Sequence, residues 1–413
     1  MTELRCSNRA CGHKLELHER TLACPRCGDL LEIGIVSVNG EPREIKQRWL
    51  ERRMSNDPRD RSGVWRFREF LPGPYAPDEI VTLAEGNVPL VAGNRTSAWA
   101  GVRHLRFKHL GWNPTACFKD LGMTAGITEA KYVGAKAVAC ASTGNTAASL
   151  AAYAARAGLV CRVYLPAGQV SRNKLAQALD FGAEVVQIKG SFDDALETLL
   201  ASQDPDLYFL NSINPFRIEG QKTAMFEMLE QFDWRVPDFL VVPGGNLGNS
   251  SAFGKAFEEL HRFGFIERVP RIVVVQAAGA NPLARLWREG GKMLQPVEQP
   301  ETVATAIRIG NPRSWKKALH ALQFTGGMAI DVTDEEIGEA KEMIGRDGIG
   351  CEPASATTLA GIRKLVRAGK IDPEAHIAAV LTGHALKDTD YIIRQHSGAD
   401  DRFVSSAAEA HAH

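Results

Sequence analysis

The sequence predicts an α/β protein with two doubly wound parallel-sheet domains, and three observations support this fold class. From about residue 103, apolar runs of strand length alternate with segments of helix length almost without interruption. The runs are continuously apolar, which is typical of parallel strands that helices cover on both faces. The strand–helix units also exceed what one open sheet comfortably holds, so we expect two such domains.

The individual elements follow from the same pattern. Between the apolar runs lie helix-length segments, of which residues 146–157 and 171–181 are examples. Short apolar runs bounded by turn-forming residues are typical of buried strands. The predicted strands are residues 137–141, 159–165, 184–188, 239–242, 272–276 and 377–381.

Residues 42–76 are charged and rich in Arg, Trp and Pro. A basic stretch with interleaved aromatic residues can bind nucleic acid. Here acidic residues are interspersed and the stretch contains no repeat. We therefore expect a helix and a connector that wrap the main body of the protein.

The chain is expected to divide into five parts. They are a zinc ribbon (1–33), a connector with the start of the large domain (34–105), a small α/β domain (106–214), a large α/β domain (215–396) and a disordered tail (397–413). The tail is small and polar, a composition that is typical of disorder.

The composition of the chain gives no reason to expect nucleic acid or a membrane as a binding partner. The 413 residues include 49 basic and 49 acidic side chains, so the net charge gives no reason to expect nucleic acid. No apolar run is long enough to span a bilayer, and the first residues lack the apolar segment of a secretory signal. We expect a cytoplasmic protein without a membrane partner, which forms a homodimer.

Four cysteines near the start form a pattern of their own. Two short pairs, the second within Cys-Pro-Arg-Cys-Gly, are separated by twelve residues. Four thiolates in this arrangement suit one tetrahedral zinc ion with no open position, and hence a structural role. Disulfide bonds or unrelated thiols are the alternatives, and a cytoplasmic setting disfavours disulfides. The predicted zinc ligands are Cys6, Cys11, Cys24 and Cys27.

Three segments at strand–helix junctions carry candidate chemistry, because ligands of open α/β sheets bind there. In residues 113–120, Lys119 lies at the start of a predicted helix, where the helix dipole and burial favour a neutral, reactive amine. Residues 142–146 and the glycine-rich residues 243–249 also lead into helices, whose N–H groups can bind an anion. Taken singly, these are an ordinary solvated lysine, a helix cap and a glycine turn.

Together with a fourth segment, these motifs resemble the fold-type II pyridoxal-phosphate (PLP) enzymes, the tryptophan synthase β-like fold, and the threonine synthase family most closely. The resemblance extends from about residue 82 to residue 390 and includes a cysteine ribbon that part of the family has. The strings that carry it are Asn113-Pro-Thr with Phe118-Lys-Asp120, Ala141-Ser-Thr-Gly-Asn-Thr146, the segment 211–222, Gly350-Cys-Glu-Pro-Ala-Ser-Ala356 and Leu381-Thr-Gly-His384.

The resemblance implies roles for particular residues. Lys119 would hold PLP covalently, Asn145 would contact the ring hydroxyl, and Thr382 would contact the pyridine nitrogen. The cofactor phosphate would be bound by Gly245, Asn246, Leu247, Gly248 and Asn249. A second phosphate, that of the substrate, would be bound by Ser142, Thr146, Asn211, Ser212 and Arg217. The implied reaction is a β,γ-replacement that converts O-phospho-L-homoserine and water into L-threonine and phosphate.

The chain also departs from the family pattern beside the cofactor lysine. Ala116-Cys117 stands where Gly-Ser is commonest, and Leu121 stands where an Arg usually follows the Asp. Cys117 is either a serine-like packing residue or a reactive thiol. Another fold-type II activity, a cysteate synthase or a threonine or serine dehydratase, is the alternative enzyme. A non-catalytic zinc-ribbon binding protein is the alternative from another class.

Overall fold

A computed structural model describes residues 2–142, 144–167, 172–190, 192–202 and 204–396. The predicted tail at 397–413 lies outside the described residues. The strands are β1 (Thr2–Cys6), β2 (Lys14–Leu15), β3 (Leu31–Ile35), β4 (Leu90–Ala92), β5 (His104–His109), β6 (Ala137–Ala141), β7 (Val160–Pro166), β8 (Glu184–Ile188), β9 (Leu207–Phe209), β10 (Phe239–Pro243), β11 (Arg271–Ala277), β12 (Met328–Val332) and β13 (His376–Leu381).

Helices fill most of the intervals between the strands. They are α1 (Pro42–Arg52), α2 (Pro58–Arg61), α3 (Arg95–Ala100), α4 (Lys119–Tyr132), α5 (Asn145–Ala157), α6 (Arg172–Asp180), α7 (Phe192–Leu200), α8 (Pro215–Gln231), α9 (Gly248–Arg262), α10 (Pro282–Glu289), α11 (Trp315–Thr325), α12 (Asp334–Arg346), α13 (Pro353–Arg367) and α14 (Thr389–His396).

Two parallel sheets form the body of the protein, which confirms the predicted fold class. The smaller sheet has the order β8-β7-β6-β9, and all of its pairings are parallel. The larger sheet has the order β12-β11-β10-β13-β5-β4 and is parallel except for the pairing of β4 with β5. Strands β6 and β10 are buried along their whole length, as expected for strands between helical layers.

The division into domains stays a prediction. Strand β5, at residues 104–109, crosses the predicted boundary at residue 106 and pairs with β13 in the larger sheet. The chain then enters the smaller sheet through α4 and β6, and returns to the larger sheet through α8 and β10. The carboxyl ends of β6 and β13 therefore belong to different sheets.

The N-terminal ribbon is an antiparallel sheet of order β2-β1-β3. Its small core packs against Phe216 at the start of α8. The connector between the ribbon and the body places α1 against aromatic side chains of the larger domain, with Trp49 stacked 5.9 Å from Phe226. Its arginines are paired, since Arg52 donates to Glu69 and Arg66 to Glu230. The connector thus packs against the body through α1 and through these ion pairs.

No helix in the described part of the chain combines the length and the apolar character that crossing a membrane requires.

Candidate active site

The loop before Lys119 pairs with the loop that contains Thr382. The backbone N–H of Phe118 donates to the carbonyl of Thr382 at 2.9 Å, and the N–H of His384 donates to the carbonyl of Ala116 at 3.0 Å. These bonds bring the start of α4 to the carboxyl end of β13. Two residues that lie far apart in the sequence, Lys119 and Thr382, are thereby held at one place.

Lys119 is the first residue of α4. Burial lowers the pKa of its ammonium group to about 8, and the positive charge of Arg217 contributes to the same shift. Its Nζ lies 4.3 Å from the centre of the Phe118 ring. With this pKa about a tenth of the amine is neutral at pH 7, far more than for an ordinary lysine, as expected for a reactive lysine.

Asp120 holds the loop before Lys119 through hydrogen bonds. Its carboxylate accepts hydrogen bonds from the backbone N–H of Thr115 at 2.7 Å, from the Thr115 hydroxyl at 2.6 Å and from Ser149 of α5 at 2.5 Å. Burial raises the pKa of Asp120 to about 6, although these hydrogen bonds favour the charged form. Asp120 lies in one of the family strings, and the sequence alone did not indicate this role.

A buried carboxylate joins the two predicted ring-binding residues. Glu352, the residue before α13, accepts from Asn145 Nδ2 at 3.0 Å and from the Thr382 hydroxyl at 3.0 Å. Ser355 Oγ lies 2.9 Å from Thr382 Oγ1. Glu352 and Ser355 lie in one of the family strings, and they were not among the predicted site residues. Their only local signal is a polar residue at the start of a helix, which is common in any protein.

The glycine-rich loop between β10 and α9 presents free donors. In the described part of the chain, no acceptor is found for the backbone N–H groups of Gly245, Asn246 and Leu247. Leu247 has a φ of 64°, a left-handed conformation that turns the loop into the first turn of α9. Convergent N–H groups at the start of a helix suit a phosphate.

Two asparagine side chains hold this loop in shape. Asn249 Nδ2 donates to the carbonyl of Pro243 at 2.9 Å. Asn246 Nδ2 donates to the Ser212 hydroxyl at 2.8 Å, and its Oδ1 accepts from the N–H of Arg313 at 2.7 Å. Asn246 therefore connects the predicted cofactor loop to the predicted substrate segment.

Arg217, in the first turn of α8, is buried and has no counter-ion among the described residues. Its side chain is 1% exposed, and Nη1 donates to the carbonyl of Leu210 at 3.1 Å. Nε and Nη2 have no partner among the described residues. Burial lowers the pKa of Arg217 to about 10. A buried guanidinium with two unpaired nitrogens is costly unless an anion binds to it.

The other predicted substrate residues lie at the ends of β6 and β9. Both atoms of the Asn211 amide are bonded to the backbone of Ala141, at 3.0 and 3.2 Å. Ser142 directly follows β6 and accepts a hydrogen bond from the N–H of Gly144 at 3.3 Å. Thr146 lies in the first turn of α5. Asn211 thus serves to join two strand ends, a use that the sequence did not reveal.

Cys117 is fully buried beside Lys119. Its Sγ lies 3.6 Å from Thr115 Oγ1 and 3.8 Å from the carbonyl oxygen of Asn145. Burial raises the pKa of the Cys117 thiol to about 11. At neutral pH the thiol is protonated, so the geometry favours the interpretation as a packing residue over that of a nucleophile.

The four N-terminal cysteines converge on one point. Their sulfur atoms all lie within 4.8 Å of one another, and the nearest pairs are 3.4 Å (Cys6 and Cys27) and 3.8 Å (Cys11 and Cys24) apart. Sulfurs placed tetrahedrally at about 2.3 Å from a zinc ion are about 3.8 Å from one another. The cluster therefore has the size that a zinc ion requires.

The sequence is similar to those of known proteins. The model of the family described as pyridoxal-phosphate dependent enzyme matches residues 81–383. The chain is 47% identical to the threonine synthase of Methanocaldococcus jannaschii over 93% of both chains. It is 43% identical to the threonine synthase of Methanosarcina acetivorans, with 95% of this chain and 94% of the relative covered.

The fold is also similar to solved structures. The crystal structure of threonine synthase from Escherichia coli superimposes with a TM-score of 0.72, covering 99% of this chain and 94% of the other. The sequences of these two proteins are 17% identical. At this level of identity, the superposition shows that the fold is shared.

Proposed function

The chain belongs to the threonine synthase family of pyridoxal-phosphate-dependent enzymes, and from this premise we propose that it converts O-phospho-L-homoserine and water into L-threonine and phosphate. The observation that carries the choice of substrate is Arg217, a buried cation whose charge acts on Lys119 and two of whose nitrogens have no partner among the described residues. Such a group is suited to an anionic ligand such as a phosphate monoester.

The residues at the strand ends fit pyridoxal phosphate. The free N–H groups of the loop at residues 245–247 are the donors that we assign to the cofactor phosphate. Lys119 supplies the amine for covalent attachment, and Asn145 and Thr382 are the partners that we assign to the ring. When bound, pyridoxal phosphate supplies an electron sink for negative charge at the substrate Cα.

Lys119 is the base that we assign to the reaction. Its lowered pKa favours the neutral amine, which can take a proton from Cα and transfer protons at Cβ. Phosphate leaves from Cγ, which then gains a proton to become the methyl group. The hydroxyl group of water adds at Cβ, and a proton returns to Cα, which completes the replacement. Arg217 orients the phosphate through both steps, because its guanidinium is held by the carbonyl of Leu210 at one nitrogen and leaves two nitrogens for the substrate.

The phosphate site separates this function from the alternatives. A dehydratase acting on serine or threonine has no second phosphate to bind, so a buried cation like Arg217 would have no partner there. A cysteate synthase also acts on a phosphorylated amino acid, and it differs in the nucleophile. Measuring phosphate and threonine released from O-phosphohomoserine together decides between these activities.

Substitution of Arg217 tests the proposal. Charge-assisted contacts are worth roughly 1.5–3 kcal/mol each. We therefore expect Arg217→Ala to lower kcat/KM on O-phosphohomoserine by about ten- to a hundredfold or more. The visible absorbance of the bound cofactor should remain, because the loop at residues 245–249 is separate from Arg217.

Arg308→Ala, which removes an exposed arginine of the same domain, is the control and should keep full activity. The proposal fails if Arg217→Ala retains the parent kcat/KM on the phosphorylated substrate. It also fails if unphosphorylated homoserine or serine reacts equally well with the parent enzyme.

We also propose that Cys6, Cys11, Cys24 and Cys27 bind one structural zinc ion. The support for this proposal is the convergence of the four sulfurs, which all lie within 4.8 Å of one another. Four protein ligands leave no open position, so the ion would hold the ribbon together and take no part in the reaction. Metal analysis of washed protein should give about one zinc per chain.

A further inference from the structure

Glu352 is a buried carboxylate between the two residues that we assign to the cofactor ring. It is 4% exposed, and its two oxygens accept from different partners, Thr382 and Asn145. Gly383 packs directly against it, since a Cβ at that position would lie 2.5 Å from Glu352 Cδ. The carboxylate is therefore fixed in place and has a defined set of partners.

The hydrogens around Thr382 can be counted. Ser355 Oγ accepts the backbone N–H groups of Thr382 at 2.8 Å and Gly383 at 3.2 Å. Its lone pairs are then occupied, so its own hydrogen points to Thr382 Oγ1, 2.9 Å away. Thr382 donates its single hydrogen to Glu352 at 3.0 Å. One lone pair of the Thr382 oxygen remains for a further partner.

The next step rests on the proposed function, which places the cofactor ring nitrogen at Thr382. A hydroxyl with one hydrogen would then lie between two groups that can each be protonated or not. If both were unprotonated, one acceptor would lack a hydrogen. If both were protonated, the hydrogen of Thr382 would have no acceptor. Either case leaves a buried polar group unsatisfied.

We propose that Glu352 and the cofactor ring nitrogen share one proton through the Thr382 hydroxyl. In one state the ring nitrogen carries the proton and donates to Thr382, which donates to the ionised Glu352. In the other state, Thr382 has given its own hydrogen to Glu352 and has taken the proton of the ring nitrogen. The protonated Glu352 then donates to Thr382, and Thr382 donates to the ring nitrogen. The number of protons and the net charge are the same in both states.

The surroundings of Glu352 allow both states. Burial raises the pKa of the Glu352 carboxyl, while hydrogen bonds from Asn145 and Thr382 and the charges of Lys387 and Lys119 lower it. Asn145 can donate to the second carboxyl oxygen in either state. Glu352 is thus a positioning residue, which acts on the cofactor through Thr382 and adjusts how strongly the ring withdraws electrons.

Two spectroscopic measurements on the holoenzyme test the proposal. Enzyme loaded with pyridoxal phosphate carrying ¹⁵N in the ring reports protonation of that nitrogen by NMR. The infrared difference between the parent enzyme and Glu352→Gln reports whether Glu352 is a carboxylic acid or a carboxylate. Glu298→Gln, at an exposed glutamate, is the control for the difference spectrum.

We expect the fractions of protonated ring nitrogen and of protonated Glu352 to sum to one at every pH at which the enzyme is folded. Both groups protonated, or neither, would overturn the proposal. Thr382→Val, which removes the hydroxyl, should abolish this complementarity, and its persistence would also overturn the proposal. If Glu352→Gln does not fold, ¹³C labelling of glutamate carboxyls in the parent and Thr382→Val proteins gives the same comparison.

The test is separable from the proposed function. If the cofactor does not bind, or if borohydride reduction labels a lysine other than Lys119, the placement of the ring fails before any proton is counted. If Lys119 is labelled and the two protonation signals are independent, only the shared proton is overturned.

Discussion

Lys119 shows how the position of a single side chain changes its pKa. Its pKa of about 8 in the folded protein lies below the ordinary value of 10.5. Between these two pH values the unfolded chain holds a proton that the folded protein has lost. The contribution of Lys119 to stability therefore rises with pH across this window, and below about pH 8 its charging opposes folding.

The same shift predicts how the apoprotein takes up its cofactor. Only the neutral amine attacks the aldehyde of pyridoxal phosphate, so the rate of covalent attachment should rise about tenfold per pH unit up to about pH 8 and then level off. Stopped-flow absorbance on apoprotein measures this rate. Arg217→Met should move the inflection to higher pH, because Arg217 contributes to the lowered pKa. An inflection near 10.5 in the parent protein would contradict the prediction.

Two fully buried arginines can be compared, one that we assign to the substrate and one that is paired within the protein. Arg217 has no counter-ion among the described residues, whereas Arg66 lies 2.7 Å from Glu230. Removing one partner of a buried pair costs about 3–5 kcal/mol, because it leaves the other charge uncompensated. We expect Arg66→Met to lower the free energy of unfolding of the apoprotein by about 3 kcal/mol, the low end of this range, because Arg53 also contacts Glu230.

Arg217→Met should leave the free energy of unfolding unchanged or increase it, because the substitution removes an unpaired buried charge. Urea denaturation of both variants, at a pH at which the parent protein is stable, measures the difference. Equal destabilisation by the two substitutions would show that Arg217 has a structural partner, and would weaken its assignment to the substrate.

At the scale of elements, Asn246 couples two segments that bind different phosphates in the proposed function. It donates to Ser212 and accepts from the N–H of Arg313. Loss of both bonds should cost about 2 kcal/mol, at about 1 kcal/mol each. We expect Asn246→Ala to weaken both cofactor affinity and kcat/KM for the substrate, each by up to about thirtyfold.

Fluorescence titration with pyridoxal phosphate and steady-state kinetics measure these two effects separately. Asn281→Ala, which removes a hydrogen bond to Asp331 in the same domain, is the matched control and should change neither. If Asn246→Ala lowers only the cofactor affinity or only kcat/KM, the cofactor loop and the substrate segment act independently.

The elements themselves were predictable because each depends on local sequence. The predicted strands at 137–141 and 184–188 coincide with β6 and β8, and the predicted helix at 146–157 differs from α5 by one residue. Continuous apolar runs mark buried parallel strands wherever those strands lie in the fold. The strand–helix pattern does not show which sheet a strand joins. The place of β5 in the larger sheet is known only from its pairing with β13 in the structure.

Candidate site residues could be predicted from the sequence where they belong to a motif. They could not be predicted where their role depends on contacts that only the folded protein makes. The interpretation of Lys119 rests on a helix start that is visible in the sequence. Glu352 gains its role only because it meets Asn145 and Thr382, which come from the ends of two different sheets. Likewise, nothing in the sequence near Arg217 indicates that its guanidinium lacks a counter-ion.

At the scale of the whole molecule, the ribbon is joined to the substrate segment. The ribbon core consists of Leu4, Cys6, Cys24, Leu31 and Ile33, and it is completed by Phe216 of α8. Phe216 is 2% exposed and directly precedes Arg217. The side chain of His18 lies 6.3 Å from the Phe216 ring and pairs with Glu129 of α4 at 3.0 Å. The ribbon therefore contacts the helices that carry both Arg217 and Lys119.

Loss of the proposed zinc ion should for this reason lower activity on the substrate more than it weakens cofactor binding. A ribbon of this size has too little apolar core to fold alone, so Cys24→Ser should release the metal and loosen the packing around Phe216. A displacement of about 1 Å at a positioning residue can cost about a hundredfold in rate. We expect kcat/KM on O-phosphohomoserine to fall by about ten- to a hundredfold, while the visible band of the bound cofactor remains.

Metal analysis, absorbance and kinetics on the same preparation separate these effects. Cys161→Ser, at a buried cysteine of β7 outside the ribbon, is the control and should keep both the metal and the activity. A zinc-free Cys24→Ser protein with unchanged kcat/KM would show that the ribbon does not support Arg217. If the cofactor band were lost instead, the ribbon would act on α4 and Lys119, through the contact of His18 with Glu129.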